Sequence, residues 1–276
     1  QVVREARDQS WYATTPYGIA VLRYEDVGFL LKDLRLRQGS YKWPAHNKAT
    51  GAFADWWARM MLNRVGEDHA RLRRLINPAF SPKLIAKLQP QFEAIANDLI
   101  DRFGRRGHCE FTAEFAEPYA TRVICELIGL PQTEWQPLAE LSAEMGISMT
   151  VNFGRLQARV NAATVAMTDY ARRVLSERRG TPREDFISWL IGANEDKDKL
   201  SDIELEDMVV LSIFGGIDTT RNQLGLALSM MIDNPSQWGL LAERPELARA
   251  AVEEIMRTRP VTTWVTREAL EDFDYK

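Results

Sequence analysis

Residues 214–222 read Phe-Gly-Gly-Ile-Asp-Thr-Thr-Arg-Asn and interrupt a long apolar run. Between Met208 and Ile232 the only charged residues are Asp218 and Arg221. A helix that is apolar all round is normally buried in a large core, and charges in its middle are costly unless they are paired or wetted. The residue types suggest why the chain accepts them. A helix that carries them can offer a ligand a carboxylate and a hydroxyl. Gly215 and Gly216 each weaken a helix by about 1 kcal/mol relative to Ala. They also strip side-chain bulk from the turn before Asp218 and Thr219, so the helix can lie flat against a large planar ligand. The competing reading is a buried kink, in which Thr219 or Thr220 bonds back to a carbonyl four residues earlier.

Two further constellations carry polar chemistry. His69 and Arg73 are four apart and share one helical face, with Leu72, Leu75 and Ile76 on the other. Two donors on one face suit a carboxylate, and Arg can bind it bidentately. Glu253 and Glu254 stand four and three residues before Arg257, a spacing that makes ion pairs on a helix. Arg267 follows in a strand-like stretch. A solvated basic face and an ordinary surface ion pair are the plainer accounts of these last two groups.

The elements that must position these residues are mostly helical. Apolar periodicity predicts helices over about 54–62, 67–77, 81–104, 113–128, 133–146, 154–179, 184–193, 203–232, 235–242 and 245–258. Ser81-Pro82 is a helix start, with Ser as cap and Pro in the first turn. On the 203–232 helix, Val209, Ile213, Ile217, Leu224, Leu228 and Met231 form a core stripe. Leu211, Gly215, Asp218, Thr219, Asn222 and Leu226 fall near the opposite side. Tyr17–Tyr24 is the clearest strand, and the segment before it can pair with it. Glu25–Lys32 reads as a short helix, residues 38–53 as a long loop, and residues 261–275 return to strand character. The expectation is a mainly α single domain over 1–276, with a small β part contributed by both ends.

Composition narrows the function. The chain has 276 residues, 45% hydrophobic and 27% charged, which permits a large core. A net charge of -4 argues against nucleic acid as a partner. No stretch of 18 apolar residues predicts a membrane span. The only cysteines, Cys109 and Cys125, are too few for a disulfide framework and point to a reducing, cytoplasmic setting. Cys125, within Val-Ile-Cys-Glu-Leu-Ile, reads as a packed core residue. The chain opens on Gln1 and stops at Lys276, and both ends look cut.

Taken in order, the three constellations resemble the soluble bacterial cytochromes P450. His69 and Arg73 followed by Ala79-Phe80-Ser81-Pro82 match the family's H-x-x-x-R and A-F-(S/T)-P pattern. Gly215-Gly216-Ile217-Asp218-Thr219-Thr220 matches its oxygen-binding pattern, and Glu254-Ile255-Met256-Arg257 its E-x-x-R pattern. A phosphate-loop reading of Phe214-Gly215-Gly216 fails, since no strand precedes the glycines and no Lys follows in place.

The resemblance implies a P450-like helical domain with a small β part, holding haem between the long helix and a cysteine loop. His69, Arg73 and Arg267 would bond the haem propionates, and Gly215 and Gly216 would face the haem. Asp218 and Thr219 would deliver protons, and Glu254–Arg257 would be structural. The implied reaction inserts one atom of O2 into a hydrophobic organic substrate. Electrons would come from a separate ferredoxin- or flavodoxin-like donor. Substrate contacts would come from Tyr41, Trp43, Phe53, Trp56 and Trp57, from Met145, Met149, Val151 and Phe153, and from Leu211 and Phe214. The haem-thiolate cysteine is expected beyond the segment given, so no metal ligand is assigned within it. The alternative is a haem-free, P450-derived helical protein that binds an apolar ligand or partner without catalysis.

Overall fold

The computed structural model describes residues 2–193 and 200–276. The chain divides into two compact units, residues 1–42 with 264–276 and residues 43–263.

The smaller unit carries the β structure. Helix α1 (Val2–Gln9) leads into strands β1 (Tyr12–Thr15) and β2 (Gly18–Val21), an antiparallel hairpin in register from Tyr12↔Val21 to Thr15↔Gly18. Gly18 has φ +124°, a conformation that favours glycine at the turn. Helix α2 (Tyr24–Leu30) follows. Strand β3 (Leu36–Gln38) pairs antiparallel with β4 (Arg267–Ala269), so the two ends of the chain share one sheet. Strand structure after residue 261 is confined to these three residues. Thr262, Thr263, Trp264 and Val265 are all exposed, and a period-2 pattern makes a strand only where a partner edge accepts it.

The larger unit is helical: α3 (Trp43–His46), α4 (Ala52–Arg59), α5 (Gly66–Ile76), α6 (Pro82–Gly104), α7 (Glu117–Ile128), α8 (Trp135–Gly146), α9 (Phe153–Gly180), α10 (Phe186–Ala193), α11 (Asp202–Asp233), α12 (Pro235–Glu243) and α13 (Ala248–Thr258). A five-residue π-helical segment, Thr112–Ala116, precedes α7. Ser81 caps α6 as its sequence predicts.

Helix α11 is the axis of this unit. Its start is fixed by a capping box, in which Ser201 Oγ accepts from Glu204 N–H and Glu204 accepts from Ser201 N–H at 2.8 Å. Its 32 residues run about 48 Å. Leu205, Met208, Val209, Val210, Ile213, Phe214 and Ile217 are buried and pack against α7, α8 and α9. Full burial ends at Ile217, so Leu224, Leu228 and Met231 of the expected core stripe are only half-buried. The helix that meets this half, α13, has a single buried residue, Ile255.

Two contacts between distant segments set the helix ends. Arg178 on α9 is buried and donates to Asp185 at 2.6 Å and to the Gly129 carbonyl. Gly129 ends α7 in a left-handed conformation, and a side chain there would strike Asp185. Helix α4 starts at Gly51, φ +80°, with no side-chain cap of its own. Asn161 on α9 substitutes for it, accepting from Phe53 N–H and donating to the Thr50 carbonyl, both at 3.0 Å.

Candidate functional site

Burial along α11 separates the polar residues of its middle onto different sides. Gly215, Thr219 and Asn222 are exposed, while Asp218 and Arg221 are half-buried. Thr219 Oγ1 donates to the Gly215 carbonyl at 2.7 Å. The expected back-bond to a carbonyl four residues earlier is therefore present, on an open face instead of in a buried kink.

The two glycines do different work. A Cβ on Gly215 would meet nothing closer than Leu211 Cδ1 at 3.9 Å, so this position is bare surface. A Cβ on Gly216 would stand 2.7 Å from Ile124 Cγ1. Gly216 thus lets α7 approach α11 and faces away from the open side. Where both glycines were expected to face one ligand, Gly215 lies on the open side and Gly216 against α7. Sequence could not separate them, because neighbouring helical positions differ by a rotation whose partner is unknown until the helices pack.

Asp218 is held from three directions. Arg221 donates to its Oδ1, and Asn222 Nδ2 lies 3.4 Å from its Oδ2. Gly146, the last residue of α8, comes close enough that a Cβ there would be 3.5 Å from Asp218 Oδ1. Arg221 also donates to Glu117 of α7 at 2.9 Å. The cost of half-burying Asp218 is thus met by an ion pair, itself shared with a second carboxylate.

On α5, His69 is half-buried and Arg73 exposed. Both line a cleft of about 780 Å³ with Asn77 and Phe80. Among the described residues neither side chain takes part in a hydrogen bond or ion pair, so both donors are available. Arg71, on the other side of the helix, reaches Glu204 at 2.5 Å and ties α5 to the first turn of α11. Arg267 lies in the smaller unit, where its guanidinium donates to Gln38 Oε1 at 2.9 Å and to the Thr266 carbonyl at 3.0 Å. Glu254 and Arg257 make a two-pronged pair, 2.7 Å on each prong, on the exposed face of α13. The hydrogen bonds from Arg257 hold the Glu254 carboxyl below its usual range.

Cys125 is fully buried, and burial pushes its thiol up to about 12, so it is an inert core residue as its surroundings predict. Among the described residues no group of three or more His, Cys, Asp or Glu is placed to hold a metal ion.

The expected substrate-contacting aromatics are largely core. Phe53, Trp56, Trp57 and Phe153 are buried together with Trp43 packed against them, and Met145 is fully buried. Trp56 meets Phe214 edge-on at 5.7 Å, joining α4 to α11. Tyr41 belongs to the smaller unit and is bonded to Glu268. Met149 and Val151 are exposed, and Leu211 is half-buried.

Comparison with known proteins was made against this geometry. The profile of the Cytochrome P450 family matches residues 141–275. Luteothin monooxygenase of Streptomyces thioluteus is 34% identical over 278 residues, covering 99% of this chain and 67% of the relative. The polyketide biosynthesis cytochrome P450 PksS of Bacillus subtilis is 31% identical, covering 93% and 64%. The solved structure of PksS superposes with a TM-score of 0.84 at 30% identity, covering 100% of this chain and 70% of that one. P450BioI, solved in complex with hexadec-9Z-enoic acid ligated acyl carrier protein, superposes with a TM-score of 0.87 at 26% identity, covering 99% and 72%. The chain spans about two thirds of the length of the relatives it matches.

Proposed function

The chain belongs to the cytochrome P450 family, and from that membership we propose that it is the oxygen-activating part of a haem-thiolate monooxygenase acting on a hydrophobic organic molecule. One observation carries the reading. In the middle of a buried helix, a bare strip formed by Gly215 and Thr219 stays open, with Asp218 held just behind it.

The residues present fit the family's cofactor. Haem is flat and carries two carboxylates. Gly215 gives a surface without side-chain bulk, and His69 and Arg73 offer unengaged donors beside a cleft. When bound, haem supplies the centre at which O2 is reduced and one oxygen atom passes to a C–H bond.

This chain's own groups supply position and protons. Thr219 gives its hydroxyl proton to the Gly215 carbonyl, which leaves Oγ1 as an acceptor able to hold a water. Asp218 accepts from Arg221 and Asn222, which hold its carboxylate behind the open strip. Glu254 and Arg257 brace α13. Electrons come from a separate ferredoxin- or flavodoxin-like donor. Two free cysteines agree with a cytoplasmic setting, and among the described residues no helix is long and apolar enough to cross a membrane.

The test is spectroscopic. Together with the cysteine-bearing segment that the reading requires, the haem-loaded protein, reduced and exposed to CO, is expected to give a thiolate-type Soret band. An apolar ligand bound with no haem uptake would instead establish the haem-free alternative. Arg73→Leu is expected to speed haem loss about tenfold by removing a charged hydrogen bond.

A further inference from the structure

The segment that follows α13 has no regular structure. Arg259 closes the helix with φ -133° and ψ 56°, Pro260 has no N–H to give, and residues 261–263 belong to no helix or strand. A helix end leaves its last carbonyls needing donors. Here the donor is a side chain on α11. Gln223 Nε2 donates to the Arg259 carbonyl at 3.0 Å, and Gln223 Oε1 accepts from Val261 N–H at 2.9 Å. One side-chain amide thus bonds on both sides of Pro260, as a neighbouring strand would. Among the described residues the bond from Val261 N–H to Gln223 is the only main-chain hydrogen bond of 260–263.

The position of Gln223 gives the contact its meaning. It lies one turn, about 6 Å along the axis, beyond Thr219. The other ties between α13 and α11 sit further along, Thr258 to Met230 Sδ and Arg259 to Asp233 at 3.5 Å. Both of those engage side chains on the exposed surface. Gln223 alone fixes the path of the backbone. Pro260 and Val261 are half-buried against the helix as a result.

Resting on the monooxygenase reading above, we propose that Gln223 is a positioning residue that splints the Arg259–Val261 backbone to α11, making this segment a fixed apolar wall beside Thr219 and so setting which hydrophobic substrates fit. The residue does not touch the reacting atoms. Its effect passes through Pro260 and Val261.

The experiment compares wild type with Gln223→Leu and Gln223→Glu in the haem-loaded protein. Hydrogen exchange at the Val261 amide is expected to rise about tenfold in Gln223→Leu, as a lost hydrogen bond allows local opening. Gln223→Glu keeps the acceptor for Val261 and is expected to retain most of the protection. Binding of imidazole and of 4-phenylimidazole then reads the wall. The ratio of their dissociation constants is expected to change about fivefold or more in Gln223→Leu, because only the phenyl group reaches beyond the iron. A change in haem retention alone would shift both ligands together and leave the ratio constant. An unchanged exchange rate overturns the splint, and faster exchange with a constant ratio overturns its role in selectivity. The exchange measurement needs no catalysis, so a failure of the monooxygenase reading, seen as no haem uptake by wild type, is distinguishable from either.

Discussion

Arg221 and Glu117 stand 104 positions apart in sequence and 2.9 Å apart in space. The same guanidinium also holds Asp218 on its own helix, so one cation serves two carboxylates. The side chains of Arg221 and Asp218 are 17% and 24% exposed, which limits screening without excluding water. Arg221→Leu is expected to destabilise the larger unit by about 1–3 kcal/mol, as it strands two partly desolvated carboxylates. Glu117→Gln should cost less, since Asp218 keeps its partner. Denaturant titration of both variants checks the order.

The two glycines of α11 are expected to respond oppositely to the same substitution. Gly216→Ala forces a methyl into Ile124, a stiff β-branched side chain, and should destabilise by about 1–3 kcal/mol. In an Ile124→Ala background most of that penalty should vanish. Gly215→Ala meets open space and should raise thermal stability, by up to about 1 kcal/mol from helix propensity. The same methyl should weaken haem retention. Thermal melts and haem-transfer rates separate the two effects.

Thr219→Ala removes a hydroxyl that is exposed and bonded only to its own helix, so stability should change by less than about 0.5 kcal/mol. Its expected effect is on coupling: electrons are consumed, product falls and peroxide rises. Thr219→Ser should keep most of the coupling. Equal peroxide yield in all three proteins would remove Thr219 from proton delivery.

Legibility in the sequence depended on range. The bounds of α11 were expected at 203–232 and found at 202–233, because its apolar run is long and unbroken by proline. Its open strip was legible from Gly215 and Thr219. The second carboxylate held by Arg221 was not, since nothing local connects Glu117 to Arg221. The strand expected over 261–275 shrank to 267–269 for a similar reason: β3 offers an edge to those residues and no further. The aromatic residues from Phe53 to Trp57 have the same composition whether they line a cleft or fill a core, and packing alone decided for the core.

In the smaller unit, Lys42, Tyr41 and Arg37 converge on Glu268 and hold its carboxyl down to about 2, from an ordinary 4.5. A carboxyl with a lowered folded value binds fewer protons folded than unfolded. Its contribution to stability is therefore complete above about pH 4.5 and is lost as pH falls toward 2. Glu268→Gln should flatten that part of the acid-unfolding curve and leave the neutral-pH signal of the larger unit unchanged. Tryptophan and amide resonances assigned to the smaller unit follow it.

The amide of Asn161 that substitutes for a cap on α4 has a kinetic consequence. Phe53 and Trp56 sit in the first two turns of a helix only eight residues long, too short to hold itself together in water. Its leading N–H has no acceptor until α9 has already docked. The aromatic nucleus is therefore expected to condense late in folding, after the long helices have assembled. Substitutions at Asn161 should speed unfolding while leaving the refolding rate nearly untouched, and an equal slowing of refolding would show the reverse order.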